Sequence, residues 1–301
     1  MRIAFLGLPL AALLLANDGH EIAFAGVLPA NGARRLARRT LPGRVRLSPD
    51  LSSDAVYEAL RELRPQLLVS WFWPKPVPVR VLDLVRCVGV HPSLLPRHRG
   101  PDPYFWALDA GDPVTGVTAH ILDERYDTGP ILAQRTLPIE AHWNAWQLAR
   151  ALDRPSLSLL REVVLAFAAN RAPPPLPQDD SHATAAPQPT EQDLALDWTW
   201  PAERIARRVR AAAPWPGAWT EIGDELVILV QARRTSDFPR ALAPGEAAVR
   251  ADGTAVVRAG EDAIELLAGR AEDDETPLAR RDFARIVERA RLRARASTDR
   301  S

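Results

Sequence analysis

A single cysteine, Cys87, among 301 residues leaves no internal disulfide framework and no thiolate zinc cluster. The expectation is a reducing, cytoplasmic setting, with Cys87 a small buried hydrophobe beside a strand. Lysine is equally scarce: of 38 basic residues only Lys75 is not arginine, and 38 acidic residues bring the formal net charge to zero. A balanced charge gives no global pull toward nucleic acid or membrane. The excess of Arg, Ala, Leu and Pro looks like high-GC coding, so arginine clusters alone are poor evidence of RNA binding. Long apolar runs are missing too. The apolar start through Leu15 is interrupted by Asn17, Asp18, Gly19 and His20 before any small-residue cleavage site. No later stretch approaches the roughly 18 apolar residues of a membrane span. Nor does any His, Asp or Glu cluster have metal-ligand spacing, so no metal is expected.

What is present has a clear order. In the first 140 residues short apolar runs alternate with helical patterns, the signature of β-α-β units and a doubly wound, mostly parallel sheet of Rossmann-like α/β type. Residues 3–5, 22–27, 67–71 and 88–90 read as buried strands, and 117–122 and 131–135 as two more. Ser53 is placed to cap a helix with the stripe Val56, Leu60 and Leu63, which Arg64-Pro65 ends. From 143 to 170 the pattern is helical, with Pro155 marking a break or second start. Residues 172–190, with Pro173 to Pro175, Pro177, Pro187 and Pro189, read as a semi-rigid linker. A helix over 202–213 and short strands at 225–230, 246–249, 255–258 and 263–267 predict a small, OB-like barrel closed by a helix from about 278 to 293. The expected division is 1–171, a linker over 172–190, and 191–301.

His91 follows Val90 at the carboxyl end of a predicted central strand, the edge where open α/β sheets place their ligands. An imidazole there, with an ordinary pKa near 6.5, can accept a proton and return it. Asp127 lies in the loop 123–130 between two apolar strands, where an aspartate most often serves as a turn or cap. Asp123 and Glu124 read as exposed loop charges. Arg97, His98 and Arg99 are placed either to face a phosphate-bearing substrate or to stand as solvated charges.

Together, Val90-His91-Pro92-Ser93-Leu94-Leu95-Pro96 and Asp127-Thr128-Gly129 resemble the folate-dependent formyltransferases, whose pattern is Asn-x-His-x-Ser-Leu-Leu-Pro and then Asp-Thr-Gly. The likeness covers nearly the whole chain. Leu196-Asp197-Trp198 and Val209 to Trp219 are similar to the opening of the C-terminal domain in methionyl-tRNA formyltransferases, a barrel also found in some nucleotide-sugar formyltransferases. The resemblance implies transfer of a formyl group from 10-formyltetrahydrofolate to a primary amine. That amine is foremost the one on charged initiator tRNA, in translation initiation, and alternatively that of a nucleotide amino sugar. It also implies His91 as proton shuttle, Asp127 as the carboxylate that orients and supports it, and Ser93, Leu94, Leu95 and Pro96 as lining the folate site, with Trp73 placed either to stack on the pterin or to pack as an ordinary core aromatic.

Two departures matter. Gly89 stands where the family has an Asn whose amide donates to the formyl oxygen, and losing one such donor costs about 100- to 1,000-fold in rate. A third reading is therefore a folate-binding paralogue with weakened catalysis. In addition, the segment after Val27 is brief beside the long basic loop of the tRNA enzymes. Arg34, Arg35, Arg38, Arg39, Arg44 and Arg46 are candidates either for phosphate contacts or for a solvated face.

Overall fold

The structure, a computed structural model, describes residues 1–29, 40–271 and 276–298. Arg34, Arg35, Arg38 and Arg39 lie outside the described residues. Arg44 and Arg46 bond to backbone carbonyls of Ile22 and Gly43 at 3.1 and 3.0 Å.

Two compact units form. The first comprises Met1–Pro103, Val114–Pro138 and Arg150–Pro187. Its sheet contains β1 (Arg2–Gly7), β2 (Glu21–Val27), β3 (Val45–Leu47), β4 (Leu67–Trp71), β5 (Cys87–His91), β6 (Val114–Ile121) and β7 (Ile131–Pro138). The spatial order is β3-β2-β1-β4-β5-β6-β7. Pairing is parallel from β3 through β5 and antiparallel from β5 to β7. The central strands read as continuous apolar runs because β1, β4 and β5 are covered on both faces, as a doubly wound sheet requires. β3 went unseen in the sequence, since three residues at a sheet edge, two of them exposed, leave no apolar run.

Helix α1 (Pro9–Asn17) follows β1, and α2 (Asp54–Leu63) begins where Ser53 Oγ accepts the Val56 N–H at 3.4 Å. Leu60 is fully buried, with Val56 and Leu63 packed against the same cluster of Leu6, Phe24, Leu68 and Trp73. Shorter helices α3 (Val79–Leu84) and α4 (Pro103–Ala110) follow. Helix α5 (Ala145–Ala168) runs uninterrupted through Pro155. A proline inside a helix costs about 3 kcal/mol, but the buried stripe Leu152, Leu159, Leu160, Val163 and Val164 continues on both sides and holds the helix together.

The proline-rich stretch is not a bare spacer. Leu176 exchanges both backbone hydrogen bonds with Ile131 at 2.8 Å, and the Ala186 N–H donates to the Arg99 carbonyl at 2.7 Å, with Ala186 itself fully buried. Its prolines keep the chain extended, so the intervening peptide groups can pair like those of an edge strand.

The second unit comprises Tyr104–Pro113, Ile139–Ala149 and Gln188–Ser301. After a single turn α6 (Glu191–Leu194) and helix α7 (Ala202–Ala212), strands β8 (Ala218–Ile222), β9 (Glu225–Thr235), β10 (Ala247–Val249), β11 (Ala255–Arg258), β12 (Ala263–Ala271) and β13 (Pro277–Ala279) form an antiparallel sheet. Its order is β10-β11-β12-β9-β8, with β13 on β12. β8 and β10 end the order, so the sheet is a curled half-barrel, followed by helix α8 (Arg280–Thr298). Within this unit the buried Arg208 forks onto Asp109 at 2.6 and 2.8 Å.

Candidate active site

β5 delivers His91 at its carboxyl end, 7% exposed. Its Nδ1 lies 3.4 Å from Asp127 Oδ2, and its Nε2 lies 2.8 Å from the His98 carbonyl oxygen. The carbonyl can only accept, so Nε2 carries the proton. In the neutral ring, Nδ1 then holds the lone pair facing the carboxylate. The backbone of His98 thus fixes the tautomer, and Asp127 faces the other ring nitrogen. Burial pushes the His91 pKa below its ordinary value, with Asp127 pulling the other way.

Asp127 is held at φ 57°, a left-handed conformation that aspartate tolerates better than most residues. Burial raises its pKa, but His91, His120 and the Gly100 N–H together outweigh that and bring it to about 2. The Gly100 N–H donates to Oδ2 at 2.9 Å. Only glycine fits there: φ is 126°, and a Cβ would stand 2.6 Å from the Ala186 carbonyl oxygen. Asp123, expected as an exposed charge, instead accepts the Thr128 hydroxyl at 2.7 Å and closes the loop that carries Asp127.

The segment Ser93 to Pro96 is fixed from beneath. Thr118 Oγ1 donates to the Ser93 carbonyl at 2.7 Å and accepts the Leu95 N–H at 3.1 Å, while Gln134 Nε2 reaches the Leu95 carbonyl at 2.8 Å. The Ser93 hydroxyl, fully buried, donates to the Arg97 carbonyl at 2.6 Å and so serves the loop itself. Leu95 is buried; Leu94 and Pro96 are half-buried. Arg99 is not a solvated charge, since it bonds Gln178 at 3.0 and 2.7 Å and Asp180 at 2.8 Å. Trp73 sits in the apolar cluster, 9% exposed, and its buried indole N–H has no hydrogen-bond partner among the described residues. Asn144 is occupied at the start of α5, where it and Gln147 cap one another's backbone N–H at 2.9 Å.

Sequence reasoning missed four contributors. His120, 1% exposed, places Nε2 3.4 Å from Asp127 Oδ1. Thr118 and Gln134 carry the folded loop, and Gln178 ties Arg99 to the Asp127 loop. For Thr118 and His120 a signal was available: both interrupt the apolar run of β6 at alternate positions, which puts two polar side chains on one buried face.

Residues 31–164 match the formyl transferase family and residues 189–285 match the formyl transferase C-terminal domain. A methionyl-tRNA formyltransferase from Chloroflexus aurantiacus is 37% identical over 89% of this chain and 91% of its own length. The chain belongs to the formyl transferase family. Within that family's fold, HypX from Aquifex aeolicus in complex with tetrahydrofolic acid superimposes with a TM-score of 0.67 and 22% identity, over 96% of this chain and 47% of HypX. A sugar N-formyltransferase from Shewanella sp. gives 0.63 and 17%, over 76% and 96% respectively. Among the described residues no helix is long and apolar enough to cross a membrane.

Proposed function

We propose that this formyltransferase moves the formyl group of 10-formyltetrahydrofolate to the amino group of methionyl-tRNA, with residues 1–171 carrying the chemistry and 191–301 serving as the C-terminal domain. The observation that carries this reading is the His91–Asp127 pair at the carboxyl edge of the sheet, 3.4 Å apart, in a chain 37% identical to a methionyl-tRNA formyltransferase across nine-tenths of its length. His91 Nδ1 takes up the proton of the attacking amine and returns it to the nitrogen that leaves. Asp127, ionised at neutral pH, stabilises the charged ring in between. The braced loop from Ser93 to Pro96 offers backbone and aliphatic surface to the folate, and the orphaned indole N–H of Trp73 suits a heterocycle rich in acceptors. The folate supplies the formyl group; the chain supplies its position and the proton traffic.

The test is release of tetrahydrofolate from 10-formyltetrahydrofolate in the presence of methionyl-tRNA. Release that total charged tRNA accelerates supports the reading. Release driven by a nucleotide amino sugar and indifferent to tRNA overturns the acceptor. Tight folate binding with no turnover on any amine marks a folate-binding protein instead.

A further inference from the structure

Formyl transfer puts negative charge on the formyl oxygen, and a water-poor site must meet that charge with a donor already in place. β5 offers none, because the residue on the same face as His91, two positions earlier, is Gly89. Antiparallel pairing sets Gly89 directly opposite His120 and His91 opposite Thr118, and opposed residues in such a pair project to the same face. A Cβ built on Gly89 meets Leu122 Cδ2 at 2.6 Å and His120 Nε2 at 3.6 Å, so the space a side chain at 89 would take is bordered by His120 and occupied by the end of Leu122, just past β6. Nε2 is the polar atom bordering it.

The partners of His120 are both acceptors. Nδ1 lies 2.9 Å from the Ile121 carbonyl oxygen and Nε2 lies 3.4 Å from Asp127 Oδ1. Both ring nitrogens face atoms that only accept, which places Nε2 as a donor toward the carboxylate side of the site. At 3.4 Å the contact to Asp127 is longer than an ordinary hydrogen bond, so it claims that N–H only weakly. His91 shares the same carboxylate through its other oxygen. Two imidazoles thus flank one carboxylate, one on the proton path and one beside Gly89.

We propose that His120 is a further catalytic residue, whose Nε2–H donates to the formyl oxygen during transfer and supplies from β6 the donor that Gly89 on β5 cannot. This rests on the formyl-transfer reading above. As the amine nitrogen bonds to the formyl carbon, the carbonyl π pair moves to oxygen and accepts the His120 N–H. When that pair re-forms the carbonyl, the bond to the folate nitrogen breaks, and that nitrogen takes the proton His91 received from the amine.

The experiment compares His120→Gln, which keeps an N–H in roughly the same place, with His120→Met, of similar size and without one. Both are assayed as full-length protein by tetrahydrofolate release, with thermal melts alongside. The Met variant should lose about 100- to 1,000-fold in kcat, with KM for donor and acceptor within about threefold, and the Gln variant should be at least tenfold faster than it. Adding Gly89→Asn to His120→Ala, with the end of the Leu122 side chain shifting from the new Cβ, should recover at least tenfold over His120→Ala alone. Equal kcat for the Gln and Met variants, or kcat for Met within threefold of the native chain, overturns the proposal while leaving formyl transfer intact. A native chain that transfers nothing to any amine overturns both. A purely structural His120 would lower the melting temperature in step with kcat and would not be rescued from the facing strand.

Discussion

Gln178 holds Asp127 by its backbone: its amide Nε2 donates to the Asp127 carbonyl at 2.8 Å and to the Gly129 carbonyl at 2.7 Å. Its Oε1 accepts both Arg99 bonds, so one side chain ties the loop after β5 to the loop after β6. Removing it leaves two carbonyls and a guanidinium looking for new partners. Gln178→Leu, close in size, is expected to cost about 1–3 kcal/mol in urea unfolding. It should lower kcat by about tenfold or more, because an ångström of freedom at the Asp127 carboxylate is enough to spoil its geometry against His91. Stability and kcat both unchanged would show that the clamp is dispensable.

The same carboxylate sets where the rate falls in acid. Burial holds the His91 pKa below its ordinary value, and Asp127 partly offsets that. The acid limb of kcat/KM for the native chain should therefore sit below about pH 6.5. Asp127→Asn removes the offset and leaves burial unopposed. The limb should move to still lower pH while the plateau drops by about 100- to 10,000-fold. A limb that moves upward, or a plateau that does not drop, contradicts the assigned roles.

Asp127 also links stability to pH. Its pKa is about 2 in the folded chain against an ordinary 3.8. The unfolded chain therefore binds its proton first as pH falls, and folding loses ground through that interval. The contribution is fully present above about pH 4 and gone below about pH 2, and is worth roughly 2 kcal/mol. Urea unfolding of the native chain and of Asp127→Asn at pH 5 and pH 3 should show their difference in stability shrinking toward the lower pH. A difference that is constant or grows would mean that Asp127 is not held as the charged form.

The sheet, the cap at Ser53 and the placement of His91 at a strand end were legible because each depends on local pattern: apolar runs, a hydroxyl before an amphipathic stripe, a polar residue ending a buried strand. The His120 contact depends on the register of two strands 30 residues apart, which no local pattern encodes. Gln178 was hidden for a similar reason. Prolines around it read as a segment that cannot bury a core, yet what that segment contributes is peptide groups and one amide in pairing, not apolar volume. Pro155 misled in the opposite direction, since the local rule against proline was outweighed by burial on either side. β8, next to Pro214 and Pro216, was likewise masked by turn chemistry.

Trp73 provides a separate check on the folate site. Its ring is packed among Leu6, Phe24 and Val77, so stacking by an open aromatic face is not what the fold prepares; the unused feature is the buried indole N–H. A buried donor left unpaired costs about 1–3 kcal/mol, and a fold keeps such a group where a partner arrives later. Trp73→Phe deletes the donor and retains an aromatic ring. The lost packing and the removed orphan act in opposite directions, so the melting temperature should change by only a few degrees, or about 1 kcal/mol. Tetrahydrofolate affinity, measured by calorimetry, should weaken by about tenfold, the equivalent of one hydrogen bond. If the variant binds tetrahydrofolate as well as the native chain does, the indole N–H is not a folate contact and Trp73 belongs to the core alone.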